Sequence, residues 1–145
     1  MSQRIDFYQA SPEAIKAMIG LEKQIARSTL EPPLIELVRL RASQINGCAY
    51  CVDTHSSDAR KHGEDPRRLA AVCAWRETPF FSERERAALA WTESLTLVSE
   101  NHVPDAVWEE ARPHFSDTEF TDLTLLVTAI NGWNRFAIAF RKAPE

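Results

Sequence analysis

Cys48 and Cys51 stand three residues apart, as Cys48-Ala-Tyr-Cys51, and His55 follows four residues later. Asn46-Gly47 is a strong breaker pair, so a new helix is expected to start at Cys48 and to run to about His62, with Gly63 ending it. On a helix the spacing i, i+3, i+7 puts the three side chains on one face, stacked over two turns. Two thiols so placed close a disulfide with little backbone movement. The helix N-terminus favours a thiolate, lowering a thiol pKa from about 8.5 into the range of roughly 3.5 to 7.5. The imidazole accepts or relays a proton near neutral pH. A carboxylate such as Glu36 would orient it and stabilise its protonated form. The substrates that suit such a unit are a hydroperoxide, attacked at oxygen, or another disulfide.

Zinc is the competing reading of the same side chains. Cys48, Cys51 and His55 would be three ligands, with His62 or Glu36 as the fourth. Structural zinc sites usually draw on a second Cys/His pair elsewhere, which this chain lacks, so redox chemistry is preferred. A thioredoxin arrangement is rejected, because there the CxxC follows a β-strand and here an amphipathic helix precedes it. Glu36 falls at the start of its own helix, where a carboxylate suits the dipole. Nothing in the periodicity places it beside His55.

Other candidates have plainer readings. Cys73 is expected on an apolar helix face as a small buried hydrophobe. His62 suits a helix C-terminus, and His102 and His114 fall near loops. Trp75, Trp91, Trp108 and Trp133 read as packing residues, and Tyr50 either covers the thiols or packs. Asn131, Asn134 and Arg135 are polar positions in an otherwise apolar stretch and need partners, on another helix or another subunit.

The elements that must position the cysteines all read as helices. Ser11-Pro12-Glu13 opens one that runs to about Thr29, with Ile15, Met18, Ile19, Leu21 and Ile25 as its core stripe. Pro32-Pro33 opens the next, with Leu34, Leu37, Val38, Arg41 and Ile45, and Asn46-Gly47 ends it. After the cysteine helix, Asp65-Pro66 begins a helix whose inner face is Leu69, Ala70, Val72 and Cys73. Ser82 with Glu85 and Ser116 with Glu119 form capping boxes. The first starts a helix to about Val98, and the second a helix over Asp117 to Phe140, with a bend expected at Asn131-Gly132. Between them Pro104 opens a short helix that ends near Pro113. The middle of the last helix, Phe120 to Ile130, is apolar on most sides and should be the most buried element.

No stretch alternates with period two, and there are four glycines in 145 residues, so the chain reads as an all-α bundle forming a single domain over residues 1–145. Hydrophobic residues make up 44%, enough for a core. The net charge of −4 argues against a nucleic-acid partner. No apolar run reaches the roughly 20 residues that span a bilayer, and the N-terminus lacks a signal-peptide core, so no membrane association and a cytoplasmic location are expected. Three cysteines are too few for a secreted disulfide framework.

The pattern Glu36, Cys48, Cys51, His55, with eleven, two and three residues between, resembles the signature of AhpD-like alkylhydroperoxidases in the carboxymuconolactone decarboxylase superfamily. The flanking LIELVRLRASQINGCAYC, SERERAALAWTE and INGWNRFAIAF look like its small single-domain branch, so the likeness covers roughly Leu34 to Phe140. The resemblance implies an AhpD-like helical bundle, assembled as a trimer or hexamer. It implies a peroxidase in which Cys51 is peroxidatic and becomes a sulfenic acid. Cys48 would be the resolving cysteine and proton donor, forming the Cys48–Cys51 disulfide, and Glu36 and His55 the proton relay. It further implies a hydroperoxide substrate, a dihydrolipoamide-type dithiol as reductant, a peroxiredoxin as a further partner, and neither cofactor nor metal. Two departures stand out: members known best as peroxidases are longer, and carry a histidine inside the CxxC where this chain has Tyr50. Members that act as decarboxylases generally lack the CxxC. The alternatives are a general thiol-disulfide reductase or redox sensor on the same fold, and a metal-binding or protein-binding module that uses the Cys/His cluster structurally.

Overall fold

The computed structural model describes residues 1–145 and contains helices and no strands. The order is α1 (Phe7–Ala10), α2 (Pro12–Arg27), α3 (Pro32–Asn46), α4 (Ala49–Lys61), α5 (Pro66–Ala71), α6 (Glu83–Thr96), α7 (Val98–Asn101), α8 (Asp105–Ala111) and α9 (Asp117–Phe140). Short 3-10 helices cover Val72–Glu77 and Arg112–His114. This is the all-α bundle expected.

Helix α3 is the axle of the molecule and packs on α4, α6 and α9. It buries two faces at once. Leu34, Ile35 and Val38 join Ala88 and Trp91 of α6 and Leu123, Leu126 and Val127 of α9 in the larger core. Leu37 and Leu40 face the other way, onto Leu89, Ala59, Val72 and Trp75. Burial on both sides explains why its sequence runs apolar rather than in one clean stripe. Each fully buried leucine removes apolar surface worth about 2 kcal/mol from water.

Local chemistry sets most boundaries. Both capping boxes form: Ser82 and Glu85 at α6, Ser116 and Glu119 at α9. Gly47, at φ 69°, ends α3 in the left-handed region that glycine adopts without a Cβ penalty. The Cys48 N–H then donates back to the Ser43 carbonyl at 3.0 Å, which turns the chain tightly into α4.

Several expectations need correction. Ser11 makes no side-chain cap bond to α2; a separate short helix, α1, precedes it, capped by Asp6. Ile19 of the expected stripe is exposed, because only Ile15 and Ile25 of α2 are fully covered. Cys73 is exposed. The helix begun at Pro66 stops at Ala71, and in the following 3-10 turn, kinked at Ala74 (φ −125°), Trp75 joins the expected Leu69 and Val72 inside while Ala70 is exposed as well. Helix α6 ends at Thr96, short of Val98. Helix α9 runs unbroken through Asn131-Gly132, where Asn131 bonds Asn46 of α3 and Thr96 of α6.

Candidate active site

Cys48 is the N-cap of α4, and its sulfur accepts the Cys51 N–H at 3.3 Å. A disulfide joins Cys48 and Cys51. Both are buried, at 1% and 4% exposure, against Ala137 of α9 and the Tyr50 ring. The turn that carries them is fastened from α9. The Asn46 amide donates to both Asn131 and Asn134 at 2.9 Å, and the Asn134 amide donates to Ser43 at 3.0 Å. Asn134 and Ser43 are fully buried, so this bond gives both side chains a partner where water has no access. Asn131 and Asn134 thus find their partners within the chain, while Arg135 is exposed and bonds back onto Asn131.

Glu36 lies in the second turn of α3, not the first, and faces α4. The His55 Nδ1–H donates to its Oε2 at 3.1 Å, and the other carboxylate oxygen accepts from Arg39 at 2.7 Å. Burial pushes the Glu36 carboxyl up, but the hydrogen bonds and charges of His55 and Arg39 outweigh it and hold the group below the usual carboxylate range. Glu36 is therefore ionised at neutral pH. His55 directs Nδ1 at the carboxylate, which leaves Nε2 to exchange a proton.

Cys51 and His55 line one cavity of about 210 Å³, together with Arg39, Tyr8, Tyr50 and Trp133. Cys48 lines a separate cavity on the α9 C-terminal side. A larger hollow of about 690 Å³ lies beyond Glu36 and Arg39 and does not reach either sulfur. The cysteine cavity is roofed by α1: Phe7 is buried against Phe136 and Phe140, and Tyr8 stacks near Trp133. The Lys142 ammonium lies over the Tyr50 ring at 4.7 Å and the Tyr8 ring at 5.5 Å.

The sequence-derived residues are linked in pairs: Cys48 to Cys51 by the disulfide, Glu36 to His55 by the hydrogen bond, and Cys51 to His55 as walls of one cavity. His62, His102 and His114 lie outside this cavity. No three His, Cys, Asp or Glu side chains are arranged to hold a metal ion. Sequence reasoning missed Arg39, Glu22, Tyr8 and Trp133. Only the i, i+3 spacing of Glu36 and Arg39 signalled any of these contacts.

Residues 12–94 match the carboxymuconolactone decarboxylase family. The chain is an AhpD-like member of that superfamily. It is 42% identical over 139 residues to YdfG of Bacillus subtilis (strain 168), an uncharacterized protein, covering 96% of this chain and 95% of YdfG. Its structure superposes with a TM-score of 0.96 on a crystal structure from Agrobacterium tumefaciens, at 43% identity and over 99% of each chain. That protein is described as one of unknown function and a candidate antioxidant defence protein AhpD. The debrominase Bmp8 shares the fold alone, with a TM-score of 0.82 at 23% identity over 94% of this chain and 74% of its own. No helix of this AhpD-like protein is long and apolar enough to cross a membrane.

Proposed function

We propose that this AhpD-like protein reduces organic hydroperoxides through Cys51, resolves the product with Cys48, and serves antioxidant defence. The observation that carries the reading is the Glu36–His55 bond at 3.1 Å, made by the same histidine that lines the Cys51 cavity.

In this scheme His55 takes the Cys51 proton, and the Glu36 carboxylate holds the resulting imidazolium. The Cys51 thiolate attacks the peroxide oxygen of ROOH. The O–O bond breaks, Cys51 becomes a sulfenic acid, and the alkoxide leaves as ROH after taking a proton. The Cys48 thiol then attacks the sulfenic sulfur, releasing water and forming the Cys48–Cys51 disulfide. A dihydrolipoamide-type dithiol restores both thiols by exchange and is itself oxidised to a disulfide. Cys48 sits at a helix N-cap, where a departing thiolate is stabilised, so attack at the Cys51 sulfur with Cys48 leaving is the favoured reductive step. A peroxiredoxin is a further partner in this reading, the assembly is a homo-oligomer, and the location is cytoplasmic.

The test is a thiol count on reduced protein before and after one equivalent of cumene hydroperoxide, then after dihydrolipoamide. Loss of two thiols that the dithiol restores, with no peroxide consumed by Cys51→Ser, is the expected result. Thiols untouched by peroxide but oxidised by a small disulfide would make the protein a thiol-disulfide reductase or redox sensor instead.

A further inference from the structure

The Glu36–His55 pair does not end at Glu36. Arg39 bonds Glu36 with one terminal nitrogen at 2.7 Å and Glu22 of α2 with the other. Glu22 in turn accepts the Trp133 indole N–H at 2.9 Å. The Trp133 ring is a wall of the Cys51 cavity. The chain of contacts therefore runs around the cavity, from His55 on α4 through Glu36 behind the wall to Arg39 of α3, Glu22 of α2 and Trp133 of α9, all three of which line it.

We propose that Arg39 is a positioning residue of the relay: its fork fixes the Glu36 carboxylate against His55, and Glu22, anchored by Trp133, fixes the fork. This rests on the reading of Glu36 and His55 given above.

Three features of the site support it. A glutamate has three rotatable side-chain bonds, and the contact with His55 alone restrains only one of its oxygens. Arg39 restrains the other. The two terminal nitrogens of a guanidinium are held in a rigid plane, so bonding two carboxylates at once defines the orientation of both. An ammonium supplies the charge without that plane. Finally, the side chains of Glu36, Arg39 and Glu22 retain 13%, 17% and 27% of their exposure, so these bonds are only partly open to competing water. An exposed ion pair would carry no such argument.

The charges that face this chain are few. Glu22 comes from α2 and His55 from α4, while α9 supplies the neutral Trp133 indole. Tyr8 of α1 and Tyr50 lie across the cavity, with the Lys142 ammonium over both rings. His62 and Glu64 border the larger hollow behind Glu36. Removing the Arg39 cation leaves Glu36 with His55 alone and Glu22 with only the neutral Trp133 indole. With a cation lost from the wall of its own cavity, the Cys51 thiolate is disfavoured by the direct charge effect. Removing the Glu22 anion does the opposite.

The test is the pH profile of Cys51 alkylation by chloroacetamide in reduced protein, read at Cys51 by mass spectrometry between pH 5 and 9. Single-turnover oxidation by cumene hydroperoxide is followed in parallel. The proteins are the wild type, Glu36→Gln, Arg39→Met, Arg39→Lys and Glu22→Gln. Arg39→Met is expected to move the alkylation midpoint up by about half a pH unit and Glu22→Gln to move it down by a few tenths of a unit. Arg39→Lys is expected to keep the midpoint and to lose about 10-fold in oxidation rate, the loss typical of an outer partner that orients a reacting group. Opposite displacements for Arg39→Met and Glu22→Gln are not produced by general loosening of the fold. Displacements of the same sign, or wild-type behaviour of both Arg39 variants beside a slow Glu36→Gln, overturn the proposal and leave the Glu36–His55 reading intact. Wild-type behaviour of Glu36→Gln removes that reading itself. Alkylation shifts without any peroxide oxidation keep the positioning role and remove the peroxidase. If Arg39→Met does not fold, Arg39→Lys and Glu22→Gln decide the outcome alone.

Discussion

Asn134→Ala tests how firmly the cysteine turn is tied to α9. Asn134 is fully buried and makes two side-chain bonds, accepting from Asn46 at 2.9 Å and donating to Ser43 at 3.0 Å. Asn46 keeps its second acceptor, Asn131, so its loss is one ordinary hydrogen bond, about 1 kcal/mol. Ser43 has no exposure, and its hydroxyl loses the amide that donates to it, at a cost of about 1–2 kcal/mol. The truncated side chain also leaves a small void beside α3. The sum is about 3 kcal/mol, which for a chain of this length lowers the thermal midpoint by roughly 6–12 °C. Urea and thermal unfolding of the oxidised protein measure it, followed by circular dichroism. Ser43→Ala completes a double-mutant cycle: the pair together should cost about 1 kcal/mol or more less than the two singles added, because the double variant leaves no orphaned partner. A midpoint within 2 °C of the wild type by the same scale, or strict additivity, would refute the reasoning.

Other outcomes are expected under separate conditions. Glu36, Glu85, Glu93 and Glu119 all lie below the ordinary carboxylate value of 4.5: burial opposes this most at the first three, where it is outweighed by His55 and then Arg39 at Glu36, by Arg68 at Glu85 and by Arg76, Trp75 and Arg41 at Glu93, and the Arg84 bond leads at Glu119. A depressed folded value contributes stability that is complete above the unfolded value and is lost as pH falls through the folded one. Unfolding free energy should therefore be level above about pH 5, decline below 4.5, and decline less steeply in Arg84→Met, measured by urea titration at each pH. Cys73 is exposed and outside the disulfide, so oxidised native protein should release one equivalent with a thiol reagent, and Cys73→Ser none. Ser116→Ala removes the α9 cap and should cost about 1 kcal/mol, while Ser116→Asp should keep most of it.

What the sequence made legible was local. Two capping boxes, the Asn46-Gly47 break and the Pro-led starts of α2, α3 and α5 depend on residues within four positions of one another, and all appear. The CxxC face is legible for the same reason. Glu36 beside His55 is a contact between helices, which only the packing of α3 on α4 creates. Family resemblance suggested the pairing; periodicity did not contain it. Cys73 was misread because a change from α-helix to 3-10 geometry after Ala71 turns each side chain through a different angle. The 3.6-residue stripe drawn through Val72 then predicts the wrong neighbour. Asn46 read as a breaker, although its amide binds two residues of α9.

Glu85 and Glu119 each perform two tasks with one carboxylate. Each accepts the N–H of its own capping serine at 2.8 Å, and each also accepts an arginine from elsewhere in the chain, Arg68 at 2.7 Å and Arg84 at 2.9 Å. The start of the helix and its docking to the body are consequently one event. Fraying the first turn of α6 or α9 surrenders an interhelical contact as well as a cap, so these ends lack the easy local opening common at helix termini. The capped amides of Glu85 and Glu119 should therefore exchange with solvent more slowly than those at helix ends without such a double bond.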